Sequence, residues 1–199
     1  MLHIVLALAL VAAPGPDALD RLAAVLREAK AWQAGFIQRY TPEGFEAGTT
    51  EKGTLTLSQP ALLRFDYTSA APRIFATDGS VGRLVDQGAG SCDAVRLDAG
   101  AWGRLPLAVA LDPQAARRAF VIDSSGPTLR LVPKEPTPEL AEITMTLSAD
   151  GLPSGLTVRD ASGNRNQFTF SGWQRRTELP PSFFRPSLPG SRPCAPEEE

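Results

Sequence analysis

Hydrophobic and polar residues alternate strictly along two short runs in the first half of the chain. In the first run Leu55 and Leu57 alternate with threonine and serine, and in the second run Leu63, Phe65 and Tyr67 alternate with other residues. Alternation with a period of two is typical of a strand with one buried face and one solvated face. The residues between the runs read Ser-Gln-Pro-Ala, and proline favours a turn because it cannot donate to a strand ladder. The two runs therefore predict an antiparallel hairpin.

The same alternation recurs before and after this hairpin. Residues 32–41 predict a preceding strand, residues 73–86 predict a second hairpin that turns at Asp78-Gly79, and residues 88–91 predict a loop. Further strands are predicted in the second half of the chain, at residues 128–131, 143–148, 156–159 and 168–171. We predict roughly nine strands in all, joined as a meander of antiparallel hairpins.

One segment has the pattern of a well-formed amphipathic helix. Residues 17–31 carry three leucines at helical spacing, and Asp17 can cap the first turn. Residues 101–110 predict a short helix interrupted by glycine and proline, and residues 113–120 predict another. Two arrangements would cover the apolar face of the sheet. One is a second sheet in a sandwich, and the other is an open, curved sheet with the helices lying over a cavity.

The N-terminus has the character of an export signal. Residues 2–13 form an almost unbroken apolar run, which is too short to span a membrane and suits a signal-peptide core. We expect residues 1–15 to be a signal peptide, with a buried strand or a retained anchor as the alternative. Cys92 and Cys194 are the only cysteines, so we expect a disulfide in an exported protein, with two free thiols as the alternative.

Composition argues against several functional classes. The chain has 20 Lys and Arg against 22 Asp and Glu, a formal net charge of −2 and no basic block, so we expect no nucleic-acid binding. The single histidine, His3, lies in the expected signal peptide. No nucleophile elbow or phosphate-binding loop motif occurs. We therefore expect no enzyme, no metal site and no cofactor.

A series of short motifs runs in order through the chain. The first is Trp32-Gln-Ala-Gly-Phe36-Ile-Gln38, an aromatic-x-x-x-Phe-x-Gln strand, and the second is a Gly-x-Leu-x-x-x-x-Pro hairpin that begins at Gly53. Further motifs lie at residues 78–79, 129–133, 143–147, 150–153, 160–164, 168–170 and 183–186. In this order and spacing the chain resembles the LolA family of periplasmic lipoprotein carriers, over residues 18–190.

The resemblance implies a fold and a task. The fold is mostly β with an α lid: an open, strongly curved antiparallel half-barrel sheet, covered by short helices over a hydrophobic cavity. The task is to carry acylated lipoproteins through the periplasm, as a monomer, from an inner-membrane ABC transporter complex to an outer-membrane acceptor. Residues 16–189 would be the carrier domain, and residues 190–199 a tail rich in proline and glutamate.

We predict that ligand contacts come from inward positions of the strands and from the lid. These residues are Leu55, Leu57, Leu63, Phe65, Tyr67, Trp102, Leu105, Leu107, Ile143, Met145, Leu147, Phe168 and Phe170. An ordinary core role is the alternative for each of them, because buried apolar residues usually serve only packing.

One departure from the family pattern bears on the lid. The family commonly has arginine just before the hairpin proline, where it is thought to hold the lid, and this chain has Gln59. Arg64 or Arg73 could compensate for it. Residues 81–100 are also poor in the aromatic residues typical of the family. A carrier of another lipid and a lipid-sensing regulatory domain of the same fold therefore stay open as alternatives. A structural β-sandwich without a ligand is a further alternative.

Overall fold

The structure, a computed structural model, describes residues 17–68, 71–97 and 107–196. The described helices are α1 (Ala18–Leu26), α2 (Ala108–Leu111), α3 (Pro113–Ala119) and a 3-10 helix at Pro181–Phe184. The described strands are β1 (Ala31–Thr41), β2 (Thr49–Ser58), β3 (Leu62–Tyr67), β4 (Arg73–Thr77), β5 (Val81–Asp86), β6 (Ser91–Arg96), β7 (Phe120–Ser125), β8 (Thr128–Pro133), β9 (Glu142–Leu147), β10 (Pro153–Arg159) and β11 (Arg165–Arg176). The expected signal peptide lies outside the described residues. Within these ranges, none of the helices has the length and apolar character needed to cross a membrane.

The strands of the described chain form one antiparallel sheet in the order β6-β5-β4-β3-β2-β1-β11-β10-β9-β8-β7. The long strands β1 and β11 pair at its centre, so the first half of the chain lies on one side and the second half on the other. The outer strands β6 and β7 do not pair with each other, which leaves the sheet open. The predicted open sheet is confirmed. The sandwich alternative is wrong, because the eleven strands of the described ranges belong to one sheet.

The sheet curls around its helix-covered face. Strands β3 and β11 are three places apart in the sheet order, which corresponds to about 14 Å along a flat sheet. The ring centroids of Phe65 on β3 and Phe168 on β11 nevertheless lie only 5.7 Å apart. Side chains on one face can meet across that distance only when the sheet curves toward that face.

Helix α1 packs on this inner face of the sheet. Its leucines Leu19, Leu22 and Leu26 are almost completely buried, in one hydrophobic core with the inward residues of the strands. Asp17 caps the N-terminus as predicted, because its side chain accepts a hydrogen bond from the backbone N–H of Asp20. The helix ends at Leu26, five residues before the predicted end, and the indole Nε1 of Trp32 donates to the carbonyl of Leu26 at 3.1 Å.

Strand β6 is an addition to the elements expected from the pattern. Gln87 and the Gly-Ala-Gly that follows it form the turn that precedes it, in the region predicted as a loop. The strand itself, Ser91–Arg96, pairs with β5 along its full length. Its covered positions carry small or polar residues, so alternation did not mark it.

The C-terminal segment covers the outer face of β3, β4 and β5. Ala76 and Val85 point to that face and are fully buried, as is Phe184 of the 3-10 helix. The guanidinium of Arg64 lies 4.4 Å from the centroid of the Phe183 ring and donates to the Phe183 carbonyl at 2.7 Å. The expected disulfide is formed: Cys92 on β6 is bonded to Cys194, which attaches the segment to the edge of the sheet.

Candidate functional site

A cavity of about 360 Å³ lies between the inner face of the sheet and the residue that precedes α2. That volume is within the range of about 300–1,000 Å³ that is usual for ligand pockets. Its apolar walls are formed by Leu63, Phe65, Tyr67, Phe75, Leu107, Leu140, Leu156, Val158 and Phe168. One end is polar and is formed by Gln38, Tyr40, Glu139, Asp160, Asn164 and Asn166.

Aromatic rings form one side of the cavity and the layer beneath it. Phe36 lies edge-on to Phe65 and to Tyr67, with ring centroids 5.2 Å apart in both pairs. Phe168 closes the cluster from the other half of the sheet. Edge-to-face pairs of this kind stabilise by about 0.5–1.5 kcal/mol beyond the area they bury, so the rings stabilise one another as well as the sheet.

Gly53 makes room for this cluster. It stands opposite Phe36 in the β1–β2 register, and a Cβ at this position would lie 1.9 Å from the carbonyl oxygen of Asp66 and 2.9 Å from the Phe36 ring. Only glycine allows β2, β3 and the Phe36 ring to approach this closely. The hairpin motif therefore has glycine at this position because the backbone of β3 and the Phe36 ring leave no room for a side chain.

An ion pair lies against the aromatic cluster. The guanidinium carbon of Arg73 is 4.5 Å from the centroid of the Tyr67 ring, and its Nη2 donates to Glu51 Oε2 at 2.6 Å. Burial raises the pKa of the Tyr67 phenol to about 12, with Arg73 acting in the opposite direction and Glu51 in the same direction. Tyr67 is therefore an uncharged wall residue at neutral pH.

The polar end of the cavity is built from the ends of β1 and β11 and from the turn before β11. Gln38 Nε2 donates to Asn166 Oδ1 at 2.9 Å, while Gln38 Oε1 is buried and accepts from no group in the described chain. Asn164 is held by the turn: its backbone N–H and its Nδ2 donate to Asp160 at 2.9 and 2.7 Å. Hydrogen bonds from the side chain and then the backbone of Asn164 lower the pKa of the Asp160 carboxyl, so this end carries negative charge.

The chemical groups of the lining indicate the class of ligand that the cavity can hold. The titratable groups of the lining are the carboxyls of Glu139 and Asp160 and the phenols of Tyr40 and Tyr67. In the described ranges, no three side chains of the metal-binding types come together. A long apolar wall with one polar end is the pattern expected for an amphiphile.

The structure places the described members of the predicted ligand-contact set in two groups. Five of them line the cavity: Leu63, Phe65, Tyr67, Leu107 and Phe168. Six others lie on the same face in the closed hydrophobic core and do not line this cavity: Leu55, Leu57, Ile143, Met145, Leu147 and Phe170. Trp102 and Leu105 lie outside the described residues. Ligand contact at all of these residues stays a prediction.

Sequence reasoning missed the polar end and part of the apolar wall. The missed residues are Gln38, Tyr40, Phe75, Glu139, Leu140, Leu156, Val158, Asp160, Asn164 and Asn166. Leu156 and Val158 belong to a strand that was predicted from alternation, so the sequence was sufficient to predict that they face inward. Gln38 ends the first sequence motif, but a glutamine in a strand is usually a solvated residue, and only the tertiary structure gives it an inner position.

The two arginines considered as substitutes for the missing lid arginine have other partners. Arg64 lies on the outer face, where Asp66 and the Phe183 carbonyl engage its guanidinium. Arg73 lies on the inner face, where it is paired with Glu51. Gln59 lies in the β2–β3 turn. Control of the lid by any of the three stays a prediction.

The fold and the cavity define a class: a one-sheet β protein whose inner face, under short helices, encloses a largely apolar space. Within that class the chain belongs to the LolA family, because the family model described as "Outer membrane lipoprotein carrier protein LolA" matches residues 27–187. The resemblance noted in the sequence is thereby confirmed.

Curated relatives match over almost the whole chain. An "Outer-membrane lipoprotein carrier protein" of Cupriavidus pinatubonensis is 27% identical over 196 residues, which covers 92% of this chain and 91% of that protein. A protein of the same description from Cupriavidus necator is 29% identical over 182 residues, covering 86% and 84%. Among solved structures, an uncharacterized conserved protein from Thermus thermophilus matches with a TM-score of 0.54 and 12% identity, covering 88% of this chain and 94% of that one. At this identity the last comparison shows the fold alone.

Proposed function

We propose that this protein is a periplasmic carrier that binds the acyl chains of lipoproteins in its cavity and moves them from the inner to the outer membrane. The observation that carries the proposal is the cavity with its aromatic wall, in a chain of a family whose curated relatives are described as outer-membrane lipoprotein carriers. The proposed partners are an acylated lipoprotein as cargo, a transporter complex in the inner membrane that loads it, and an acceptor in the outer membrane.

The energetics of acyl chains make such a carrier necessary. Each CH₂ group buried away from water contributes about 0.8 kcal/mol, so a long acyl chain exposed to water costs on the order of 10 kcal/mol. A carrier must offset most of this cost and still release the chain. Phe65, Tyr67 and Phe168 would lie along the acyl chain as apolar walls, and Leu107 would cover the chain just before the four-residue helix α2.

Export to an oxidising compartment is supported by the disulfide. Structural disulfides persist in secreted and periplasmic proteins and are rare in the cytosol of most organisms. The bond between Cys92 and Cys194 joins the sheet edge to a segment that lies far away in the sequence. The proposed location of the mature carrier is therefore the periplasm, after removal of residues 1–15.

Binding of an acylated lipopeptide to the purified mature protein tests the proposal. The control is the same peptide without acyl chains. We expect binding at about micromolar concentration or tighter for the acylated form and none for the other. Equal binding of the two peptides would withdraw the proposal.

A second experiment separates carriage from sensing. Inner-membrane vesicles that contain the transporter and a labelled lipoprotein are incubated with ATP, with and without the purified protein. A carrier brings the label into the soluble fraction only when both ATP and the protein are present. A protein that binds the lipopeptide but releases no label from the vesicles has a regulatory role instead.

A further inference from the structure

We propose that the cavity holds one acyl chain per molecule and that helix α1 does not move to admit a second. This inference rests on the proposed function and names how much of a lipidated ligand the same site takes. A ligand with several chains therefore places one chain inside the cavity and keeps the others outside it.

The inner face of the described sheet has an open part and a closed part. The open part borders the cavity and includes Phe65, Leu156 and Phe168. The closed part includes Leu57 and Met145, which lie almost completely buried in one core with the leucines of α1 and do not line the cavity. A second acyl chain would have to enter the closed part, which requires α1 to leave the sheet.

The volume of the open part suits a single chain. The cavity measures about 360 Å³, close to the lower limit of the range of about 300–1,000 Å³ for pockets that hold one drug-sized ligand. A long acyl chain is itself about the size of such a ligand, so a second chain of equal length finds no space beside it. Displacement of Leu107, which lines the cavity before α2, would remove an apolar wall and would not make room for a second buried chain.

Polar contacts hold the N-terminal end of α1 in place. Arg117 of α3 donates from Nη2 to Asp17 Oδ2 at 2.7 Å and to Asp20 Oδ1 at 2.9 Å. Arg21 of α1 donates to the carbonyl of Gly126, in the turn between β7 and β8, at 2.9 Å. These contacts join the start of the helix both to α3 and to the edge of the sheet.

The C-terminal end and the apolar face of α1 are held as well. The indole of Trp32 on β1 donates to the Leu26 carbonyl, and Glu28, which follows the helix, pairs with Arg175 on β11. The three leucines of the helix are almost completely buried, so displacement of α1 would expose them to water, which is unfavourable. Both ends and the buried face therefore oppose a movement of α1 that would admit a second chain.

Binding of lipopeptides that differ only in their acyl chains tests the inference. A series with one chain of increasing length is measured first, and we expect the affinity to rise with length and to reach a plateau before the octadecanoyl chain. A second peptide then carries two chains, each of the shortest length that reaches the plateau. We expect the second chain to raise the affinity by less than about tenfold, whereas burial of only four more CH₂ groups would raise it about 200-fold.

Two further measurements locate the limit. Hydrogen exchange of the α1 backbone amides reports whether the helix stays on the sheet, and we expect no loss of protection when the two-chain peptide binds. Leu156→Trp adds volume to the cavity wall, so we expect its affinity plateau at a shorter chain. Leu84→Trp is the matched control, because Leu84 is 37% exposed and does not line the cavity, and we expect the wild-type plateau for it.

The outcomes separate the inference from the proposed function. A gain of about tenfold or more from the second chain overturns the inference, as does a loss of α1 protection on loading. An affinity that still rises at the octadecanoyl chain, or an unshifted plateau in a folded Leu156→Trp protein, overturns it too. In each of these cases the one-chain peptides still report carrier function. If the one-chain peptides do not bind at any length, the inference and the proposed function both fail.

Discussion

Asp78 and Arg83 form an ion pair whose side chains are only 7% and 9% exposed, with Oδ2 and Nη1 3.1 Å apart. Arg185 Nε adds a second contact to the same carboxylate oxygen at 2.9 Å, and Arg83 Nε donates to the Cys194 carbonyl at 3.0 Å. Asp78 in the turn between β4 and β5 and Arg83 on β5 thus hold the C-terminal segment at two points. Because both charges are buried, each one needs the other to offset the loss of its hydration.

We expect Asp78→Asn to lower the free energy of unfolding by about 3 kcal/mol, because it leaves Arg83 buried without its counter-charge. Urea unfolding followed by circular dichroism measures the loss. Asp86→Asn is the matched control, since Asp86 only accepts a hydrogen bond from Ala89 in an exposed turn, and about 1 kcal/mol or less is expected there. Equal losses in the two variants would show that the buried ion pair contributes no more to stability than the exposed hydrogen bond of Asp86.

The same carboxylate predicts sensitivity to acid. Burial opposes the charge of Asp78, but hydrogen bonds from Ser80, Val81 and Arg83 outweigh it and hold its pKa far below the ordinary value of 3.8. A depressed pKa stabilises the folded state above that ordinary value, and this stabilisation is lost as the pH falls below it. The thermal midpoint of the wild type should therefore fall as the pH drops below 3.8, and it should fall less in Asp78→Asn. Parallel curves for the two proteins would contradict this assignment.

The disulfide has a separate and measurable contribution. It joins residues 102 apart in sequence, and the loop-entropy treatment gives about 5 kcal/mol for a loop of this length. We expect the double variant Cys92→Ser/Cys194→Ser to lose stability of that order and to be insensitive to added reductant. Mass analysis of the exported wild type under non-reducing conditions should show no alkylatable thiol. Two alkylated cysteines would refute the bond.

Phe65→Glu tests the aromatic wall. The side chain is 8% exposed and borders the cavity, so a glutamate there places a charge where an acyl chain would lie. We expect the acylated lipopeptide to lose at least about 100-fold in affinity, corresponding to roughly 3 kcal/mol. Phe45→Glu is the matched control, because Phe45 is 64% exposed in the β1–β2 connection, and its binding should stay unchanged. Normal binding by a folded Phe65→Glu protein would remove β3 from the site.

Gly53→Ala tests the close packing of β2 against β3. The added Cβ would collide with the Asp66 carbonyl and the Phe36 ring, so we expect a loss of about 3 kcal/mol or more, or failure to fold. Gly35→Ala on β1 is the control: its Cβ would meet its nearest neighbour, the Ser171 carbonyl oxygen, at 3.7 Å, an ordinary contact. A cost of under about 1 kcal/mol is expected for it. Equal stability of the two variants would show that β2 and β3 can separate without penalty.

The sequence predicted strands well wherever large apolar residues alternate. Leu63, Phe65 and Tyr67 indicate one buried face, because every second side chain of a strand lies on the same side of the sheet. The segment Ser91–Arg96 lacks that signal, and its strand depends on pairing with β5 and on the bond from Cys92 to Cys194. The end of α1 could not be predicted from the sequence either. The helix stops at Leu26, whose carbonyl accepts a hydrogen bond from Trp32, and this tertiary contact leaves no trace in the local pattern.

The candidate site was predictable only in its apolar part. Alternation identifies inward residues, but it does not tell which of them border a cavity and which, like Leu55 and Met145, are closed into the core. Gln38 and Asn166 come together because β1 pairs with β11 and the sheet curls, and neither fact can be obtained from local pattern. Polar residues in strands are ordinarily solvated, so the polar end of the cavity could be identified only from the tertiary structure.

The pairing of β1 with β11 means that the two ends of the chain must both be present before the cavity exists. Tyr67 and Phe75 come from the first half, while Leu156 and Phe168 come from the second. Contacts between segments so distant in sequence form late and slowly in folding, because a long loop must close before they gain anything. A chain folded only as far as β10 lacks Phe168 and the pairing that joins the two halves of the sheet, so its apolar residues do not yet enclose a space. The cavity can therefore hold no ligand until β11 is in place.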